Sequence, residues 1–181
     1  MTLPVMPLLL DTFDYVGDRL RRRSDGLTDQ EYLWQPVPDG WTVAEQGDRW
    51  IPHPNEDVDP PAPITTIAWR LWHIASDCLA GYVTPHLGEW PLPVSKGEWY
   101  PDAASALAAL EVAFATFRSR IAALGEEGLA AELGPDWGPY QHDTWAALVM
   151  HAIDEVAHHG AEVALLRDLY VRRDALTGRA H

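Results

Sequence analysis

The sequence predicts an all-α fold, a four-helix bundle with one long irregular connection between its first and second helices. Three observations lead there. Four segments repeat apolar residues at steps of three and four. Each is bounded by residues that start or stop helices. Alternation of apolar and polar residues, the mark of a half-buried strand, nowhere reaches comparable strength. With 181 residues and 47% apolar content, one domain spanning 1–181 can bury a real core.

The first helix is expected from Pro7 to Arg23, where Leu9, Leu10, Phe13, Val16, Gly17 and Leu20 form a stripe. Its last turn lies in the basic run "DRLRRRSDG", whose cations suit the negative end of the helix dipole, and Gly26 follows as a stop. The second is expected over Ile64–Thr84, opened by Thr65 and Thr66 and stopped by Pro85. The third, Pro101–Leu124, has the cleanest pattern: Leu107, Leu110, Phe114, Phe117, Ile121 and Leu124 make a bundle seam. Asp102 or Ser105 stands near its start and Gly125 just past its end. The fourth opens near Asp143–Thr144 and continues to Val171.

Residues 24–63 form a connection rich in Trp, Pro, Asp and Gly. Thr28–Leu33 reads as a short helix, with Thr28 as cap and Glu31 at the capping-box position. The prolines argue against regular structure in the rest. Loops of this length are usually functional or disordered, and Trp34, Trp41 and Trp50 argue for an ordered flap packed on the bundle.

Composition narrows the function. A formal charge of −14, with only 13 scattered Lys and Arg residues, excludes a nucleic-acid binder built on phosphate contacts. A single cysteine, Cys78, can form neither an internal disulfide nor a thiolate-rich zinc site. No apolar run approaches the roughly 20 residues of a membrane span, and the first residues carry no cationic leader. A soluble, cytoplasmic protein is expected.

The chemistry concentrates in "HAIDEVAHHGAE", residues 151–162. Extended in steps of three and four, the core stripe of the fourth helix reads Trp145, Leu148, Ala152, Glu155, His159, Val163 (or Glu162), Leu166 and Tyr170. Glu155 and His159 thus fall on the inward face one turn apart. A buried carboxylate is costly unless it is paired or bound to a metal. A facing helix must supply the rest of such a site, and on the second helix His73 borders the stripe Ile67, Leu71, Ile74, Cys78 and Tyr82. Spacing alone leaves a plain Glu155–His159 ion pair and a core histidine at 73 as open alternatives. His151, His158 and Asp154 point away from the stripe and read as surface or supporting residues. Cys78, five residues after His73, reads as core filler on another face, and Asp77 as a candidate to orient the His73 imidazole. Trp69 or Trp72, with the flap tryptophans, is expected to wall a pocket, half or more of these rings being plain core.

The segments "TTIAWRLWHIASD" and "HAIDEVAHHGAEVALLRDLY", together with the earlier "GLTDQEYLWQPVPDGWTV", resemble the DinB-like family of four-helix-bundle metalloproteins over nearly the whole chain. The resemblance implies a DinB-like bundle and a divalent metal held by His73, Glu155 and His159. The commonest family pattern has His-x-x-x-His followed closely by arginine, whereas this chain has Glu155-x-x-x-His159 followed by Gly160. That His/Glu/His version is similar to the mycothiol-dependent maleylpyruvate isomerase branch, whose members use zinc with a low-molecular-weight thiol. It implies Zn²⁺, with Ni²⁺ also fitting the ligands, a mycothiol-like thiol and an electrophilic small-molecule substrate as partners, and a transferase or isomerase activity. A metal-dependent hydrolase, with His158 or Glu162 as base, and a non-enzymatic metal-binding stress-response module are the alternatives. Family bundles often pair, so a homodimer is a further expectation.

Overall fold

Helix α1 (Val5–Ser24) and helix α6 (Trp145–Val171) share the longest interface of the computed structural model, which describes residues 4–54, 61 and 63–176. Two other long rods complete the bundle. One runs continuously through α3 (Ile67–Trp72), a π-helical segment (His73–Ala80) and α4 (Gly81–Leu87); the other is α5 (Ala103–Ala130). The architecture is mostly helical, as the periodicity predicts. The predicted stripes are the buried ones. Leu9, Phe13, Val16, Gly17 and Leu20 face inward on α1, while Leu110, Phe114, Phe117 and Ile121 do so on α5. A Cβ added at Gly17 would lie 3.0 Å from Phe114 Cε1, so that glycine lets α1 and α5 approach.

The helix ends follow local chemistry. Thr66, Asp102 and Thr144 each accept a hydrogen bond from the backbone N–H three residues on, at 3.2, 2.8 and 3.3 Å, and so satisfy donors that the first helical turn leaves free. Thr28 and Glu31 form the reciprocal capping box of α2 (Asp29–Tyr32). Gly125 adopts φ 65° and breaks α5 where the sequence predicts a stop, after which one more turn continues to Ala130. Two short elements, a 3₁₀ stretch over Pro135–Tyr140 and helix α7 (Arg173–Leu176), flank α6.

Two expectations are corrected. The connection over 24–63 is not irregular past Leu33: Val43–Gln46 (β1) pairs antiparallel with Arg49–Pro52 (β2), Gln46 opposite Arg49. The prolines lie before the hairpin, at its last position or after it, and Gly47, at φ 69°, opens a two-residue loop of the kind that matches strand twist. Residues 55–60 and 62 of this connection lie outside the described residues, as does His181. The second rod also runs past Pro85. The ring removes only the bond to the Gly81 carbonyl, and Thr84 Oγ1 donates into the same turn, to Ala80 O at 2.6 Å. The rod therefore reaches Leu87.

The flap is fastened to α3 by polar contacts. Trp69 Nε1 donates to the His53 carbonyl at 2.9 Å, and Trp41 exchanges backbone hydrogen bonds with Ile64 and Thr66 at 2.9 Å each. Trp41 then packs on Trp69, with ring centroids 5.2 Å apart. At the other end of the bundle, Arg23 reaches Asp168 at 2.7 Å and Arg21 reaches Glu111 at 2.7 Å, so the basic end of α1 ties that helix to both neighbours.

Arg167 of α6 organises the turn after α1. It donates to Glu31 Oε1 at 2.9 Å and to the carbonyls of Arg23 and Asp25 at 2.7 Å each. Burial alone would raise the Glu31 pKa, but the Arg167 guanidinium and the Thr28 N–H hold it below its ordinary 4.5. A carboxylate depressed in this way contributes stability in full above that ordinary value and loses it as pH falls through the depressed one. Arg167→Ala leaves the buried Glu31 charge unpaired and should cost about 3 kcal/mol at pH 7. Urea unfolding of wild type and variant should show this gap narrowing below pH 4.5; an equal gap at pH 7 and pH 3 would show that charge pairing is not the cause.

Candidate metal centre

Helix α6 places Glu155 and His159 one turn apart, and the π-helical segment opposite supplies His73. Glu155 Oε2 lies 3.1 Å from His73 Nε2 and 3.0 Å from His159 Nε2. The two imidazoles meet edge to face, with centroids 4.8 Å apart. One ligand atom from each of the three residues lies within 4.8 Å of the others, a grouping that could hold a metal ion. Two nitrogens and an oxygen sharing a zinc at 2.0–2.1 Å would stand about 3.3 Å apart, so Glu155 Oε2 already stands close to the required separation from both nitrogens.

The outer ring nitrogens are also engaged. His73 Nδ1 is 3.1 Å from Asp77 Oδ2, and His159 Nδ1 is 2.6 Å from Glu162 Oε2. A carboxylate on Nδ1 fixes the tautomer that leaves the Nε2 lone pair for a cation. Asp77 therefore orients His73, as its spacing suggested, and Glu162 does the same for His159, a role the sequence reading gave only to a possible base. Arg70 Nε in turn pairs with Glu162 Oε2 at 2.7 Å. Asp77, Glu155 and Glu162 against Arg70 leave two negative charges around the imidazole pair, which neutral imidazoles and one divalent cation would balance.

Titration reflects the same demand. His73 loses by burial, but Asp77, Cys78 and Glu155 more than compensate and push its pKa up to about 11. Burial likewise opposes charge on His159, and Glu155 and Glu162 raise its pKa nonetheless. The two imidazoles hold the Glu155 carboxyl well below the usual carboxylate range, His159 most strongly. Protons on the rings supply positive charge between the carboxylates.

Cys78 corrects the sequence reading. Its Sγ lies 3.5 Å from His73 Nε2 and 3.6 Å from Glu155 Oε2, beside the cluster rather than on another face. In an α-helix, residues five apart diverge by about 140°. The π-helical segment, closed by bonds from i to i+5, turns Cys78 back to the side of His73 while keeping Asp77 beside it. Local widening of this kind leaves no mark in an apolar pattern. His151, by contrast, is exposed and approaches only the flank of the cluster, with Nε2 at 3.6 Å from Glu155 Oε1. His158 is exposed and faces Glu162 at 3.4 Å, and Asp154 is exposed.

The tryptophans divide between wall and core. Trp69 stacks on His73, with centroids 5.1 Å apart and planes 13° from parallel, and closes one side of the cluster. Trp41 backs Trp69, and Trp34 packs on Tyr170 away from the site. Among the described residues, the flap thus buttresses a wall and does not itself line the cluster. Trp137, which the sequence reading passed over, stands in the third connection beside Tyr82.

A helical bundle with an inward His/Glu/His cluster shared by its second and last long rods is a candidate metalloprotein of bundle type. The chain belongs to the DinB superfamily, whose profile matches residues 49–163, a span that includes all three cluster residues. The crystal structure described as a conserved protein of locus from Enterococcus faecalis has a similar fold, with a TM-score of 0.57 at 16% identity over 94% of this chain and 99% of that one. No curated protein matches the sequence. Among the described residues, no helix is long and apolar enough to cross a membrane.

The buried Cys78 thiol, only 1% exposed and raised in pKa chiefly by burial, should react slowly with a disulfide reagent. In native buffer its labelling rate should be at least about 100-fold below that in urea. A native rate within a factor of about three of the unfolded one would place the thiol in solvent and remove it from the cluster.

Proposed function

We propose that His73, Glu155 and His159 hold one divalent cation, zinc by this ligand set with nickel as the fitting alternative, and that the site activates a low-molecular-weight thiol, mycothiol-like, for transfer to or isomerisation of an electrophilic small molecule. The observation that carries the metal half is the convergence of three donor atoms with both outer ring nitrogens held by carboxylates. Two imidazoles and one carboxylate with a further coordination position suit a catalytic rather than a closed structural site. The thiol half draws its support from the Glu155-x-x-x-His159 departure, which resembles the mycothiol-dependent branch.

A cation bound there would supply Lewis acidity, holding a thiol sulfur as thiolate near neutral pH. The chain's own residues do the rest. Asp77 and Glu162 orient the two imidazoles, and Arg70 keeps Glu162 ionised and in place. Trp69 keeps water from one side of the His73 ring. The hydrolase alternative is weaker because Glu162, one of its two candidate bases, is already committed to His159 and Arg70, and the other, His158, faces Glu162 at 3.4 Å.

Glu155→Ala should abolish metal retention, measured by elemental analysis after dialysis, while the far-ultraviolet dichroism stays helical. His151→Ala should leave metal content unchanged. Stoichiometric zinc in the first variant, or its loss in the second, would assign the ligands wrongly. Glu162→Gln should weaken metal affinity about 10- to 100-fold through His159, and affinity in all forms should fall on acidification because protons compete for both rings. For the thiol half, a thermal-shift series with zinc alone, thiol alone and both should show a gain for the pair beyond that of zinc. Turnover of simple esters without thiol would favour the hydrolase instead.

A further inference from the structure

Beside the cluster, between α4, α6 and the 3₁₀ stretch, lies a cavity of about 520 Å³ lined by Tyr82, Leu133, Trp137, Tyr140, Leu148 and His151 among others. Its size is that of small-molecule sites. It abuts the candidate metal centre through two residues. His151, in its wall, stands 3.6 Å from Glu155 Oε1. Tyr82, also in its wall, interacts with Cys78, whose Sγ is 3.6 Å from Glu155 Oε2.

The chemistry of the wall selects an occupant. Tyr82 packs on His151 at 5.7 Å and on Trp137 at 6.4 Å between centroids, so flat aromatic faces border much of the space. Planar apolar bodies gain most from such faces. Among the described residues, the lining includes the Asp143 carboxylate and neither lysine nor arginine, which disfavours an anion. Trp137 Nε1 is closed off from solvent, so an occupant meets the ring and not its N–H.

We propose that this cavity is the subsite for the electrophilic substrate, and that it takes a neutral, planar, apolar molecule that packs against the Tyr82 and Trp137 rings. The substrate role rests on the metal-and-thiol reading above; the binding itself rests only on the cavity. The occupant enters past the exposed Tyr140, and its inner end meets His151 and Tyr82, the two side chains that adjoin Glu155 and Cys78.

The test uses the intact protein, ¹⁵N-labelled, with cumene as the neutral planar probe and benzoate as its anionic counterpart. Nine tryptophans give nine indole N–H signals, and Trp137→Phe identifies the relevant one by its loss. Cumene should shift the Trp137 signal with half-saturation near about 1 mM, and benzoate should bind at least about threefold more weakly. Ala147→Phe, a change at an exposed lining position, should abolish the shift while metal content stays that of wild type. Equal binding by Ala147→Phe, no movement of the Trp137 signal, or movement spread evenly over the indoles would overturn the subsite. Metal content separates the two readings. Zinc retained without a Trp137 response removes the cavity alone, whereas a Trp137 response in a protein that binds no metal keeps the binding site and removes its substrate role.

Discussion

The Glu155 carboxylate, shared by His73 and His159 at 3.1 and 3.0 Å, is the contact on which the interior of this bundle turns. It joins the second rod to α6 across what would otherwise be an apolar seam. A carboxylate in that place is tolerable only because positive charge faces it from two sides. The arrangement then propagates outward. Each imidazole that faces Glu155 needs a carboxylate behind it, and the carboxylate behind His159 needs Arg70. The polar chain thus runs from Asp77 through the cluster to α3 without leaving a charged member unpaired. Such a network costs more than apolar packing of the same volume, so its presence argues for use rather than for stability.

The π-helical segment is the backbone counterpart of that network. Widened helical turns are uncommon and concentrate at functional sites. Here the widening spans His73–Ala80, beginning at the residue that joins the cluster. Its effect is specific: it presents His73, Asp77 and Cys78 to the same side, where a regular helix would offer only the first two. The rod stays buried throughout this stretch, with Ile74, Ala75, Leu79 and Ala80 packed in the core. Tertiary packing therefore holds a geometry that local preference alone would not choose.

Much of this was legible in the sequence because it depends on helical period. The stripes of α1, α5 and α6, the caps at Thr66 and Thr144, the box at Thr28–Glu31 and the inward stacking of Glu155 on His159 all follow from steps of three and four and from capping chemistry. The placement of His73 opposite them needed only the assumption that two rods face each other. What was not legible depends on departures from that period or on pairing across distance. The hairpin was hidden by prolines that in fact border it, although Gly47 followed by Asp48 between two short apolar-polar runs was a usable signal. Cys78 was misplaced because its position was computed on a regular helix. Glu162 holding His159 was within reach, since the two lie three residues apart, whereas Arg70 meeting Glu162 from another rod was not.

Two of the irregular connections divide the surroundings of the cluster between them. Residues before α3 press on the back of His73: Trp41 supports Trp69, Trp69 stacks on the imidazole, and the hairpin end at His53 fastens Trp69 by its indole N–H. That side is filled and closed, with Trp69 only 2% exposed. The connection after α5 does the opposite. Its 3₁₀ stretch stands off from α4 and α6 and leaves a chamber, with Trp137 and Tyr82 as walls and His151 at the boundary with Glu155. A rigid, apolar support behind one ligand and an aromatic opening beside another give the cluster a direction. Anything that reaches Glu155 through this chamber must pass Tyr82 and His151, so the side chains that a substrate meets first are those that touch the cluster from outside, not its three members.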